Sequence, residues 1–212
     1  MQNPNGELWK GAVAGLAAGL AASYVMNKFQ NLQGKAAEAW EELKQWESAG
    51  SQQAASEGSG NGREKQQDEN ATVKAAAKVS EGLFHHKLTR KEKKVAGPAV
   101  HYGFGTLTGG LYGAMAELAP AVTRGAGLPF GTAVWLGADE VAVPALRLSE
   151  PPLDYPVSVH GKALAAHLVY GLTTETVRRL VRRALGGPPA GNGDLPSVIE
   201  IELDELALVI EE

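Results

Sequence analysis

The sequence predicts an all-α integral membrane bundle of about four transmembrane helices, with an amphipathic helical insertion between the first and second spans. Three observations carry this expectation: four apolar stretches free of formal charge, glycines recurring every four residues in two of them, and charge gathered into the segments between. Averaging hides the pattern, because a mean hydropathy of −0.16 and a net charge of −4 over 212 residues are the values of an ordinary soluble protein. The absence of cysteine excludes disulfides, thiolate metal sites and thiol nucleophiles. A pI near 5.8 gives no basic footprint for nucleic acid.

The first apolar stretch is Gly11 to Asn27, 17 residues bracketed by Lys10 and Lys28. As a helix it covers about 26 Å, at the short end of what crosses a hydrocarbon core of about 30 Å. A signal peptide is the competing reading, since Ala21-Ala22-Ser23 follows an apolar run as a cleavage site would. Residues 31–47 place Leu32, Ala36, Ala39, Trp40, Leu43 and Trp46 on one face of a second, amphipathic helix, suited to a membrane surface or to another helix. Residues 48–70 are rich in Ser, Gly, Gln and Glu and read as a linker. A helix is expected from Ala71 to about Phe84, followed by the basic run Lys87, Arg90, Lys91, Lys93 and Lys94.

Val95 to Ala116 is uncharged for 22 residues, about 33 Å of helix, and is the strongest spanning candidate. Gly125 to Ala138 is a third uncharged run, interrupted by Asp139-Glu140 and resumed by Val141–Leu146; Ala163 to Thr174 is a fourth. These two are short for spans taken alone. The chain thus divides into a first span within 1–29, a helical insertion at 30–94 with a linker at 48–70, a three-helix remainder at 95–185, and a tail at 186–212. The tail holds seven acidic and no basic residues, so subtracting −7 from −4 leaves +3 for residues 1–185.

Gly11, Gly15 and Gly19 recur at four-residue spacing, as do Gly105, Gly109 and Gly113. Glycine inside a helix costs about 1 kcal/mol relative to alanine in water. In lipid the same spacing lets helix backbones approach closely, so helix packing within a protomer, or a homo-oligomer through these stripes, is expected.

The stretches GPAVHYGFGTLTGGLYGAMAEL (97–118), FGTAVWLGADEVAVPAL (130–146) and AAHLVYGLTTETVRRLVRR (165–183) resemble the YagU-like bacterial membrane proteins, grouped as domain of unknown function 1440. WKGAVAGLAAGLAASYVMNKFQ, near the start, fits the same pattern, so the resemblance covers roughly residues 8–185. It implies an all-helical inner-membrane protein and supports counting the third and fourth runs as spans. It implies no activity and no cofactor.

If the four segments alternate in direction, depth can be compared. Let A be the end holding the first residues and B the opposite end. His101, Asp139, Glu140, Lys162 and His167 then fall at similar depth in the B half, with His160 beside them. Intramembrane charges face a bundle interior or an aqueous cavity and pair with one another, so Asp139 or Glu140 is expected to meet His101, His167 or Lys162. Adjacent helical residues point about 100° apart, so at most one of the two acids is expected to face the bundle centre. A structural ion-pair network, a proton relay through histidine, and a divalent metal held by two histidines and a carboxylate all stay open. Towards A lie Glu117, Glu175, Arg178 and Arg179; the spacing of Glu175 to both arginines predicts helical ion pairs. With Arg182 and Arg183 beyond them, the positive-inside rule favours both termini in the cytoplasm.

No P-loop, nucleophile elbow, zinc-protease helix or dinucleotide fingerprint occurs. The expectation is therefore a bacterial inner-membrane protein with the lipid bilayer as its partner, no catalytic residues, no cofactor, no metal and no nucleic acid, structural or stress-related in the envelope. A small proton- or ion-coupled transporter or channel using the B-side cluster is the alternative. A soluble helical binding protein or enzyme is the second.

Overall fold

The computed structural model describes residues 4–49 and 71–186. Five helices, with no strand among the described residues, make the fold: α1 (Pro4–Ala49), α2 (Ala71–Phe84), α3 (Arg90–Leu118), α4 (Leu128–Val134) and α5 (Val157–Ala184). α4 continues without a break into a π-helical stretch, Trp135–Ala142, and a last turn, Val143–Ala145. Turns of 3₁₀ helix at Pro120–Thr123 and Pro152–Asp154 join α3 to α4 and α4 to α5.

Packing fixes the directions. Gly11 lies against Gly113 and Gly19 against Gly105, so α1 and α3 are antiparallel. Glu7 meets Arg182 at one end while Gln33 Nε2 donates to the Lys162 carbonyl at 3.4 Å near the other, so α1 and α5 are antiparallel too. Gly127 packs on Gly171 and Glu140 on His160, which sets α4 against α5. The result is an up-down-up-down bundle in which ends A and B alternate.

The centre is made of very small side chains. Ala14, Ala18, Ala22 and Ala166 are fully buried, and Met26, Tyr112 and Tyr170 fill the wider places. Tyr112 stacks on Phe130 with centroids 4.2 Å apart. The two glycine rows bury each other within one chain: a methyl at Gly109 would stand 2.6 Å from Gly15 O and 2.6 Å from Gly19 Cα, and one at Gly15 2.9 Å from Gly113 Cα.

Two expectations are corrected, and a third is met only in part. The first span and the amphipathic helix are one helix of 46 residues, because the polar stretch at 27–31 has no helix breaker and its side chains are satisfied locally, as where Asn31 Nδ2 donates to Asn27 Oδ1 at 3.0 Å. The third run is not a regular α-helix. Val143 N–H bonds to Ala138 O five residues back, and Pro144 has no N–H to offer the carbonyl four before it. Among the described residues one helix, α1 over Glu7–Lys44, has the length and apolarity of a membrane span, where four spans were expected. In α3 the glycines, His101, Tyr102 and the threonines dilute the apolar character; in α5 the run from Glu175 to Arg183 does. The linker from residue 50 onward and the tail from residue 187 lie outside the described residues.

α3 begins with a capping box. Thr89 N–H donates to Glu92 Oε2 at 2.7 Å and Glu92 N–H to Thr89 Oγ1 at 3.3 Å. The Thr89 backbone and hydroxyl, then His86, hold the Glu92 carboxyl at about 2, well under its usual 4.5. A carboxyl depressed on folding stabilises above its unfolded value and ceases to do so as pH falls through the folded one. The cap should therefore loosen between about 4.5 and 2. Carboxyl NMR is expected to place the Glu92 midpoint near 2, and Thr89→Ala to return it towards 4.5. An unshifted Glu92 in the native protein would contradict the capping box.

Candidate functional site

At the B half a cavity of about 720 Å³ opens between α1, α3, α5 and the π-helical stretch, with Thr72 and Val73 of α2 at its edge. Its wall is mostly apolar, from Phe104, Val134, Val143 and Leu146; its polar groups include Ser23, His101, Asp139, His167 and Tyr170, with Lys93 and Lys94 of α3 also on the lining. α2 is held over it by the Val73 side chain against Gly97, where a methyl would stand 2.7 Å from Cγ2, and by Lys78, which donates to the Leu146 carbonyl.

The π-helical turn explains the acids. Its wider spacing turns two consecutive residues towards α5, one on each side. Asp139 Oδ2 lies 3.7 Å from His167 Nδ1 inside the cavity. His167 Nδ1 also stands 2.9 Å from the Ala163 carbonyl, which can only accept, so Nδ1 carries a proton. The Asp139 side chain is 40% exposed, open to the cavity, while His167 is buried. His101 completes the group from α3. Its Nε2 is buried without a hydrogen-bond partner.

Glu140 pairs elsewhere. His160 Nδ1 is 2.6 Å from Glu140 Oε1, and His160 Nε2 is 2.9 Å from the Pro152 carbonyl. The carbonyl requires a proton on Nε2, so the proton between Nδ1 and the carboxyl belongs to the pair. The adjacent carboxylate accordingly raises the His160 pKa. The expected grouping is corrected at two members: Glu140 turns to His160 and away from His101, His167 and Lys162, and Lys162 is exposed, with only its backbone carbonyl engaged, by Gln33. Among the described residues no group of three His, Cys, Asp or Glu has metal-binding geometry.

The A half closes on charge. Glu175 accepts from Arg178 at 2.7 and 2.8 Å and from Arg179 at 2.6 Å, and all three are buried. Arg182 accompanies them: Nε is 2.7 Å from Glu117 Oε1, Nη2 is 3.1 Å from Glu117 Oε2, and Nη2 also reaches Glu7. One guanidinium thus joins α1, α3 and α5. Three carboxylates balance three arginines, and the Arg178 guanidinium lies 5.9 Å above the Tyr112 ring.

Several participants had no local signal in the sequence. Glu7 is 175 residues from Arg182. Tyr170 donates to Gly105 O at 2.6 Å and shares a 2.9 Å contact with Thr108 Oγ1, binding α5 to the glycine row. A second close approach joins Gly127, Gly131 and Gly171: a methyl on Gly171 would stand 2.8 Å from Gly131 N, and Gly127 also has φ +85°. The four-residue step from Gly127 to Gly131 was legible; its partner on α5 was not.

Residues 72–176 match the family model described as Protein of unknown function (DUF1440). The match runs from α2 into α5 and is narrower than the resemblance read over 8–185. No curated protein and no solved structure matches the chain.

Proposed function

From a segment, 72–176, that belongs to the DUF1440 family and so inherits a family but no activity, we propose that this is a multi-pass bacterial inner-membrane protein that handles protons through its B-side cavity without enzymatic turnover. The observation that carries the reading is the cavity itself, which leads from the B end to Asp139 and His167 and to the unpartnered His101 Nε2. An unsatisfied buried nitrogen costs about 1–3 kcal/mol.

The membrane setting is supported by which side chains face outward. Leu16 and Leu20 on α1, Leu107 and Leu111 on α3 and Leu136 beyond α4 are exposed, whereas Glu175, Arg178, Arg179 and Arg182 are inside. In water this leaves large apolar faces wet and charges dry, both unfavourable; in lipid the outer faces are solvated and the charges pair internally. The spans take in α1 from Gly11, α3 from Val95, α4 with its π-helical continuation, and α5 from Ala163.

The purified chain in liposomes loaded with a pH-sensitive dye should pass protons, and Asp139→Asn should abolish the flux while leaving thermal unfolding near that of the parent. No flux, or equal flux in both proteins, would remove the proposal and leave a structural role in the envelope, which the buried A-side network favours.

A further inference from the structure

We infer that the B end is an interaction surface for anionic lipid headgroups, so that B faces the cytoplasm and both ends of the bundle's outer helices at A lie outside it. The inference rests on the spanning reading above and goes beyond it to a partner. It reverses the orientation expected from the arginines of α5, and burial is the reason. Arg178, Arg179 and Arg182 are inside the bundle, paired with Glu175, Glu117 and Glu7, so they present no charge to a membrane surface. What remains outward at A is Arg124 and Arg183, with Lys10 paired to Glu7 at 3.3 Å.

B is different. Lys28 on α1, Lys74 on α2, Lys87 between α2 and α3, Lys91 in the first turn of α3, Arg147 after α4 and Lys162 on α5 are exposed and come from every element that reaches this end. The exposed acids of the same elements are Glu38, Glu41, Glu42, Glu81, Glu150 and Asp154, and with Lys35, Lys44, Lys78, Arg90 and Lys94 also exposed the cations outnumber them; Glu41 pairs with Lys44 at 3.3 Å and Glu92 is engaged by its cap. The run at 87–94 lies within about 15–20 residues of the start of a span, the distance over which basic residues bias orientation.

A second, independent feature points to lipid. Leu153, in the 3₁₀ turn before α5, and Val157, the first residue of α5, are 97% and 86% exposed and lie in the chain between Arg147 and Lys162. Fully exposed aliphatic side chains flanked by basic residues at a bundle end are suited to the boundary between acyl chains and phosphates. Each exposed cation near an anionic leaflet is attracted within a Debye length, so the attraction is sensitive to salt.

The test uses the full chain. Since it has no cysteine, Ala121→Cys at A and Ser149→Cys at B can each be labelled in spheroplasts with an impermeant maleimide. Labelling of Ala121→Cys alone is expected. Labelling of Ser149→Cys alone overturns this orientation but leaves the spanning reading intact, whereas labelling of both, or release of the chain by alkaline carbonate, overturns both. In parallel, thermal unfolding is compared in phosphatidylcholine vesicles and in vesicles of equal parts phosphatidylcholine and phosphatidylglycerol. The anionic lipid should raise the midpoint by several degrees, high salt should erase the gain, and Lys74→Gln/Lys87→Gln/Lys91→Gln should lose it. Equal midpoints in the two lipids, or a gain reproduced by inorganic phosphate over phosphatidylcholine alone, would overturn the lipid surface.

Discussion

Gly109→Ala is expected to destabilise the bundle by about 3 kcal/mol, the upper end for inserting a methyl into a packed interior. The added carbon would stand 2.6 Å from Gly15 O and 2.6 Å from Gly19 Cα, and both are backbone atoms that no rotamer change can withdraw. Relief requires α1 to move off α3 as a unit, which would also loosen Gly15 and Gly19 from their own partners. Gly103→Ala, in the same helix, meets nothing within 4 Å. There the usual alanine preference should hold, with a gain of up to about 1 kcal/mol. Chemical or thermal unfolding in detergent micelles distinguishes the two; equal effects would mean that the seam between the glycine rows is not close-packed.

The second large effect is expected at Glu175, which is 1% exposed and neutralises two arginines that are themselves buried. Glu175→Leu leaves both guanidiniums uncompensated inside the bundle, a loss of about 3–5 kcal/mol for a broken buried pair. Replacing the arginines as well, in Glu175→Leu/Arg178→Met/Arg179→Met, removes the stranded charge together with the desolvation that accompanied it. That triple variant should recover most of the loss. A triple variant as unstable as the single one would show that the network supplies packing or specificity beyond charge balance.

Much of the architecture was legible because it depends on short-range patterns. Val95 to Ala116 lies within α3 and the spacing of Glu175 to Arg178 and Arg179 gave their pairing. Alternating four segments in depth was enough to bring His101, Asp139 and His167 to one cavity. The unread parts depend on distance or on backbone geometry. Nothing near Glu7 announces Arg182, and the choice of Glu140 by His160 instead of Lys162 follows from a π-helical turn that composition does not mark. The unity of α1 escaped because a polar interval between two apolar patterns reads as a joint, although no residue there breaks a helix.

That unity gives α1 the mechanics of a lever. It is about 69 Å long, its inner half is clamped along glycine, and its outer half carries Leu32, Trp40, Leu43 and Trp46 exposed. Ser23, Met26, Asn27 and Gln30 stand at the cavity on the way out. A tilt of about 5° pivoting near Gly19 displaces Trp46, about 40 Å further along the axis, by roughly 3.5 Å. A rearrangement too small to notice around the cavity is thus magnified at the far tip, where a bulky indole sweeps through the space around the molecule.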